Sequence, residues 1–386
     1  MSPVAERSRT AVEALAESCR SCYQCGRCRS ACPQGLDLAD GPRAVVRLVI
    51  AQDAERLLAC EDVWRCSECG ACTEACPMGV DVAGVIAEVR VLQRAGDGVR
   101  CPERSGADLA KRHLKHHRTL NSLTLGLRMA LRGFLPRGPR TSISLGAGAF
   151  RAQVRRPLRP VASADDLKVF YPGCALRMDR EAYEATRALA AGSGMRLAEP
   201  EDAGCCGHPA RDPGVGPPAL RGTMLTACPA CERTLAAAGT PTVPVWSLMV
   251  ERARRGEYRL SARSSRFVPY VGCLSDRDAT LALLAEAAEL AGTEPVLAHP
   301  SLHGSCCGAL GAAYRGPTRG VAELVRFAAE RHAPIVTPCL LCRDNVRLAA
   351  RHERAAVDVH FWPEFFRATS AMAVAASASA DGGERA

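Results

Sequence analysis

Aromatic side chains are scarce in this chain of 386 residues, at 4%, with 3 Trp, 6 Tyr and 8 Phe. Its cores must therefore be built from Ala, Leu and Val, and the abundance of Ala and Leu favours helices. The scarcity also argues against nucleic acid as a partner, since no aromatic stacking motif accompanies the basic residues. Long apolar runs are missing too. The most apolar middle stretch, Leu120–Leu135, is interrupted by Arg128 and Arg132, and the tail from Ala368 is too small and polar to span a membrane. Met1–Arg20 carries Glu6, Glu13 and Glu17 where a secretion signal would have an apolar core. No Gly-x-Gly-x-x-Gly fingerprint is present, so no flavin or nicotinamide site is expected on the chain itself.

Cysteine is what the chain has in excess: 21 residues, eighteen of them in four ordered groups. Two groups read C-x2-C-x2-C-x3-C-P: Cys22, Cys25, Cys28, Cys32, Pro33, and Cys66, Cys69, Cys72, Cys76, Pro77. Two read C…C-C-G…C-x2-C: Cys174, Cys205, Cys206, Gly207, Cys228, Cys231, and Cys273, Cys306, Cys307, Gly308, Cys339, Cys342. Ligand-like spacing in a chain this long excludes the disulfide framework of a small secreted domain and points to a reducing cytoplasm. Thiolates are soft anionic ligands for iron–sulfur clusters and zinc, and several clusters in one chain can conduct electrons.

In the C-x2-C-x2-C-x3-C-P pattern the first three cysteines wrap one cluster and the fourth ligates the other. One [4Fe–4S] cubane is thus expected on Cys22, Cys25, Cys28 and Cys76, and a second on Cys66, Cys69, Cys72 and Cys32. Cys19 also stands three residues before Cys22, but the x3-Cys-Pro spacing after Cys28 sets the register and leaves Cys19 spare. Cys60 and Cys101 receive no role. The adjacent cysteines of each C-C-G are ill suited to two corners of one tetrahedral site, and five thiolates exceed what a cubane requires. An unusual iron–sulfur cluster and zinc both stay open for these two groups. His208, His299 and His303 flank the C-C-G motifs and could donate protons to departing thiolates, with a structural or solvated role as the alternative.

The expected fold class is α plus α/β. Residues 1–105 read as a helical two-cluster ferredoxin-like domain, with a helical spacer over 39–60 and a helix over Val80–Leu92. Residues 106–160 read as a basic linker with an amphipathic helix near Leu114–Leu135. From Lys168 the chain repeats itself: Val169–Cys174 matches Val268–Cys273, each followed by a helical run, Arg180–Ala191 or Thr280–Ala291. Short strands, Thr223–Thr226 and Ile335–Thr337, then enter each C-x2-C. Strand–helix alternation predicts parallel sheets in two cysteine-rich (CCG) domains, 161–260 and 261–367. The first repeat is about ten residues shorter between its C-C-G and its C-x2-C. Residues 368–386 read as a disordered tail.

The formal charge of +9 falls as cluster charge is added, and its basic residues gather at Lys111–Arg118 and Arg151–Arg159. A solvated linker is the plain reading of these stretches; an acidic partner or anionic lipid is the other.

With Cys-Tyr-Gln-Cys-Gly at 22–26 and Trp-Arg-Cys-Ser-Glu-Cys-Gly at 64–70, the N-terminal region resembles the C subunit of heterodisulfide reductase. Residues 168–345, with Tyr-Pro-Gly-Cys at 171–174 and both C-C-G motifs, resemble the B subunit. A chain joining the two is similar to the D subunit of the membrane-linked enzyme. The resemblance covers most of residues 15–366 and all eighteen motif cysteines. It implies a non-cubane [4Fe–4S] cluster on each C-C-G set, the two facing each other, with a disulfide split between them. It also implies an oxidoreductase acting as a subunit, a flavoprotein or membrane cytochrome b as electron partner, a small-molecule disulfide or thiol substrate, and peripheral association with the inner face of the membrane. The iron–sulfur subunits of glycolate and lactate oxidases, which relay electrons without substrate chemistry, share the same parts and form the alternative. A non-redox scaffold with zinc in the C-C-G sites is the third reading.

Overall fold

The computed structural model describes residues 3–35, 38–39, 41–95, 167–200, 206, 208, 220, 222–308 and 317–370. The basic linker with its expected helix, Cys101 and Cys205 lie outside them, as do the Cys174 side chain and the tail beyond 370.

The N-terminal part is helical: α1 Pro3–Ser18, α2 Arg27–Ser30, α3 Gly41–Ile50, α4 Ala54–Ala59, α5 Ala71–Glu74 and α6 Val82–Ala95. Helix α3 turns Val45, Val46 and Val49 inward at helical spacing and leaves Arg43 and Arg47 outside. The expected helical spacer is broken at Ala51–Asp53, where Gln52 adopts φ +52°. Asp53 then restarts the helix by accepting the Arg56 amide at 3.1 Å, a cap worth about 1 kcal/mol. The core beneath is Val12, Val45, Val46, Val49, Leu57, Val63, Trp64 and Val89. No helix among the described residues is long and apolar enough to cross a membrane.

Two α/β units follow with one plan. The first runs β1 Leu167–Tyr171, α7 Gly173–Met178, α8 Arg180–Gly192, β2 Arg196–Ala198, β3 Met224–Thr226, α9 Pro229–Ala237, β4 Thr242–Pro244 and α10 Val245–Arg254. After β5 Tyr258–Ala262 comes the second: β6 Arg266–Pro269, α11 Arg277–Ala291, β7 Glu294–Pro295, α12 Pro300–His303, α13 Arg319–Glu330, β8 Ile335–Thr337, α14 Leu340–His352, β9 Val359–Phe361 and α15 Trp362–Phe365. The sheet orders are β2-β1-β3-β4 and β7-β6-β8-β9, equivalent strand for strand, and every pairing in both is parallel. Helices α8 and α11 start one residue after Asp179 and Asp276, whose carboxylates accept the amides of Ala182 at 3.0 Å and Ala279 at 2.9 Å.

The few aromatics are concentrated at the seam between the units. Trp246, Phe267, Phe361, Trp362, Phe365 and Phe366 meet edge to face or tilted, with ring centroids 4.6–6.1 Å apart. The seam is closed by β10 Phe366–Ser370, which pairs antiparallel with β5 over five positions. This corrects the expected tail boundary: strand pairing and the buried Phe366 carry order to Ser370, past Ala368. Likewise β5 runs across the expected 260/261 boundary. Arg343 of α14, 2% exposed, ties the units electrostatically, bonding Asp179 of the first as well as Asp344 and Glu364.

Candidate metal centre

Each N-terminal motif folds into the same loop. Gln24 and Glu68, two residues after Cys22 and Cys66, both adopt left-handed backbone at φ +61° and +54°. Gly26 and Gly70 follow at φ +83° and +82°, opening α2 and α5. This curl turns donors onto sulfur: the Glu68 amide onto Cys66 Sγ at 3.3 Å, and Gln24 Nε2 onto Cys22 Sγ at 3.5 Å. After the fourth cysteine of each motif the chain turns again, the amides of Gly35 and Gly79 donating to the carbonyls of Cys32 and Cys76.

The thiols gather by motif, except that Cys32 of the first motif lies with three of the second. Cys32 lies in the field of Cys66, Cys69 and Cys72; burial, reinforced by these neighbours, pushes it up to about 12. Burial with Cys66 and Cys69 likewise pushes Cys72 up to about 12. Burial takes Cys66 to about 11, against the pull of buried Arg90, which bonds Glu68 and the Cys66 carbonyl. Cys28 lies in the field of Cys22 and Cys25. Cys19 is fully buried beside Cys22 and Cys76, and its carbonyl accepts the Cys22 amide at 2.9 Å. Sequence reasoning weighed its x2 spacing to Cys22 and left it spare. Cys72 also feels Cys28, so the two sets are neighbours.

In the α/β units Cys228, Cys339 and Cys273 follow the carboxyl ends of β3, β8 and β6, where open parallel sheets place their ligands. Cys228 and Cys339 cap α9 and α14, and x2 spacing puts Cys231 and Cys342 in the same first turn. Hydrogen bonds to Cys206 and Cys228 hold the Cys231 thiol well above its usual range, and bonds to Cys307 and Cys339 do the same for Cys342. Both units use one device to admit these sulfurs. Gly173 and Gly272, at φ +72° and +80°, have no side chain where a Cβ would stand 2.8 Å from Cys231 Sγ and 2.9 Å from Cys342 Sγ. In the second unit Cys273 Sγ donates to Cys306 Sγ over 3.6 Å. That bond lowers Cys306 despite burial, helped by donors from the Gly308 amide, Gln34 and Ser67.

In the second unit the interval between C-C-G and C-x2-C, about ten residues longer than in the first, holds the twelve-residue α13. Of the histidines, His303 has both ring nitrogens on backbone carbonyls, Pro269 at 2.7 Å and Ala298 at 3.0 Å, and its own carbonyl accepts the amides of Val271 and Gly272. It holds the turn before Cys273, a structural role. His208 is buried with Nδ1 3.2 Å from Thr234 Oγ1, and His299 is exposed.

The helical domain packs its inner thiol set onto both units. The Cys306 amide donates to the Pro33 carbonyl at 3.3 Å, and Arg233 Nη1 donates to the Cys69 carbonyl. Cys69 and Cys273 both pack on the apolar cluster of Tyr171, Cys206, Cys228 and Cys231. A cavity of about 1290 Å³ opens there, with Cys32, Cys69 and Cys273 in its wall and Arg29, Arg233, Arg277, Glu232 and Asp276 among its charged lining. Burial raises Glu232, with Asp276 reinforcing and Arg233 opposing. Sequence reasoning did not find this lining, because it converges from three separate parts of the chain.

The donor chemistry fits a positively charged metal–sulfur group. Buried thiols this close repel one another as thiolates, and a cationic core removes that penalty. Among the described residues no group of three or more His, Cys, Asp or Glu side chains takes the geometry of a single-ion site.

Comparison with known families agrees. Residues 21–81 match a family described as a 4Fe-4S dicluster domain, a span containing all eight N-terminal motif cysteines. Residues 168–217 match a family described as a cysteine-rich domain, a span that holds Cys174, Cys205 and Cys206. No curated protein and no solved structure matches the chain. The two matches, a 4Fe-4S dicluster domain followed by a cysteine-rich domain, support an iron–sulfur electron-transfer role.

Proposed function

We propose that this protein is the iron–sulfur catalytic subunit of a heterodisulfide-reductase-like complex. Electrons pass along its N-terminal thiol sets to two C-C-G sites that reduce, or in reverse form, a disulfide. The observation that carries this reading is the cavity: thiols of the inner relay set and of the second C-C-G set share one wall of a space large enough for a small disulfide.

When bound, the iron–sulfur groups supply one-electron redox chemistry. Cys22, Cys25, Cys28 and Cys76 hold the outer relay group, and Cys66, Cys69, Cys72 and Cys32 the inner one. Cys174, Cys205, Cys206, Cys228 and Cys231 hold the first C-C-G group, and Cys273, Cys306, Cys307, Cys339 and Cys342 the second. Cleaving R–S–S–R takes two electrons, delivered singly, and two protons, and yields two R–SH. Exposed Cys25, Tyr23 and Met78 lie at the outer set, which supports docking of a flavoprotein or a membrane cytochrome b there.

The test is anaerobic reconstitution followed by assay of small disulfides with reduced viologen. Loading of about sixteen iron atoms per chain, four for each of four clusters, with disulfide turnover is the expected result. Full loading without turnover of any disulfide, combined with electron uptake from a flavin-dependent 2-hydroxyacid dehydrogenase, would overturn it in favour of a relay subunit.

A further inference from the structure

Cys306 is a point where the helical domain grips a thiol of the second unit directly. Its amide donates to the Pro33 carbonyl at 3.3 Å, and its Sγ accepts Gln34 Nε2 at 3.1 Å. Gln34 is buried, and the same amide nitrogen donates to the Arg65 carbonyl at 2.7 Å, just ahead of Cys66. The Gly308 amide adds a second N–H donor to the same sulfur, at 3.3 Å. Cys32, Pro33 and Gln34 are consecutive. One thiol of the inner relay set is therefore joined to a thiol of the second C-C-G set by the backbone of Cys32–Gln34, the Gln34 side chain and one hydrogen bond.

We propose that Gln34 is a positioning residue of the electron path: with Pro33 it fixes the Cys306 sulfur against the inner relay set and makes the Cys273/Cys306 site the first C-C-G site to receive an electron. Two physical effects act together. Electronic coupling decays more slowly along covalent and hydrogen bonds than across a gap, so the Cys32–Pro33–Gln34 segment is the favoured route. An N–H aimed at a ligand sulfur stabilises the more negative, reduced state and raises the potential of that site. Each step moves one electron: the inner set's site is oxidised by one, the Cys273/Cys306 site is reduced by one, and no bond or proton is exchanged. The inference rests on the function proposed above only in requiring iron–sulfur groups at both C-C-G sets; the identity of the substrate does not enter.

The experiment uses the full chain, loaded anaerobically and reduced stepwise with dithionite or viologen. Rapid-freeze and equilibrium electron paramagnetic resonance follow each site, with signals assigned through Cys231→Ser and Cys342→Ser. In the unmodified protein the Cys342-dependent signal is expected to change first. In Gln34→Met, which keeps length and volume but has no donor, iron content and the relay signals should persist. The second site's midpoint should fall by a tenfold change in electron partition, about 59 mV for one electron, and its reduction should slow by a similar factor. Arg180→Met, an exposed change on the first unit, should leave that midpoint in place. An unaltered midpoint and rate in Gln34→Met would overturn the proposal. So would earlier change of the Cys231-dependent signal in the unmodified protein, which decides the matter even if Gln34→Met loses iron. Loaded sites that show the expected order but turn over no disulfide would count against the function alone; C-C-G sites that take up no iron would sink both.

Discussion

The two α/β units place their thiols with the same parts and surround them with different ones. In both, a glycine at positive φ lies under the sulfur of the last cysteine, and a C-x2-C opens a helix at the carboxyl end of a strand. In the second unit the helical domain reaches a ligand-type sulfur through Gln34; from the first unit Arg233 reaches back to the Cys69 carbonyl, with Glu74 at 3.9 Å. The difference teaches that two units of one plan can meet the same helical domain through different contacts. On the proposal above, the order of electron arrival follows from those contacts, which lie outside the repeat.

The strongest way to break this comparison is to remove one set at a time. Cys273→Ser is expected to abolish disulfide turnover and reduce iron from about sixteen to about twelve per chain. Cys231→Ser should lose the same iron yet leave reduction of the second site intact. Metal analysis with redox titration checks both; equal loss of both sites from either change would show one cooperative site in place of two.

Next in size is the ion cluster that joins the units. Arg343→Met leaves the carboxylates of Asp179, Asp344 and Glu364 without their buried partner. Removing the cation shared by all three carboxylates costs about 3–5 kcal/mol, read as a shift in urea midpoint at constant iron loading. Arg90→Met, which breaks the buried pair with Glu68 inside the helical domain, should disturb the relay signals and spare the contact between units.

The glycine devices give a finer comparison. Gly173→Ala and Gly272→Ala each force a Cβ against a sulfur and hold a non-glycine residue at positive φ, a strain of about 1–3 kcal/mol. Each variant is expected to lose iron from its own site and keep it in the other, measured by iron content and site-resolved spectra. Loss at the opposite site would show that the two groups are bound in concert.

What the sequence made legible was local. Spacing alone predicted the helix after Asp179 and the strand Ile335–Thr337, and strand–helix alternation predicted parallel sheets, because periodicity and ligand spacing are short-range properties. The contacts that join the helical domain and the two units link residues far apart. Gln34 meets Cys306 across 272 positions and Arg343 meets Asp179 across 164, and no pattern near either residue announces its partner. Strand β10 escaped for a related reason: Phe366–Ser370 runs into an alanine- and serine-rich tail, and its order comes from pairing with Tyr258–Ala262. Cys19 was passed over because the motif was already complete without it.

The smallest expected effect is a pH dependence inside the Arg343 cluster. Burial raises Asp344 above the usual aspartate range, outweighing the attraction of Arg343. Burial also acts on Asp179, but the Arg343 charge and the Ala182 amide bring it below that range. As pH falls, Asp344 therefore takes its proton first, above the ordinary value of about 3.9. Its folded-state pKa exceeds its unfolded one, so stability rises as pH drops through it. Asp179 has the opposite sign: its stabilisation is complete above about 3.9 and disappears as pH falls through its lowered folded value. Asp344→Asn should leave stability at neutral pH within about 1 kcal/mol and remove the upper of the two bends in a stability–pH curve. Asp179→Asn should cost more, because it ends both the link to Arg343 and the cap on α8, and should remove the lower bend. If instead Asp344→Asn proved the more damaging, Arg343 would serve mainly its own helix, and the aromatic seam would be what holds the two units together.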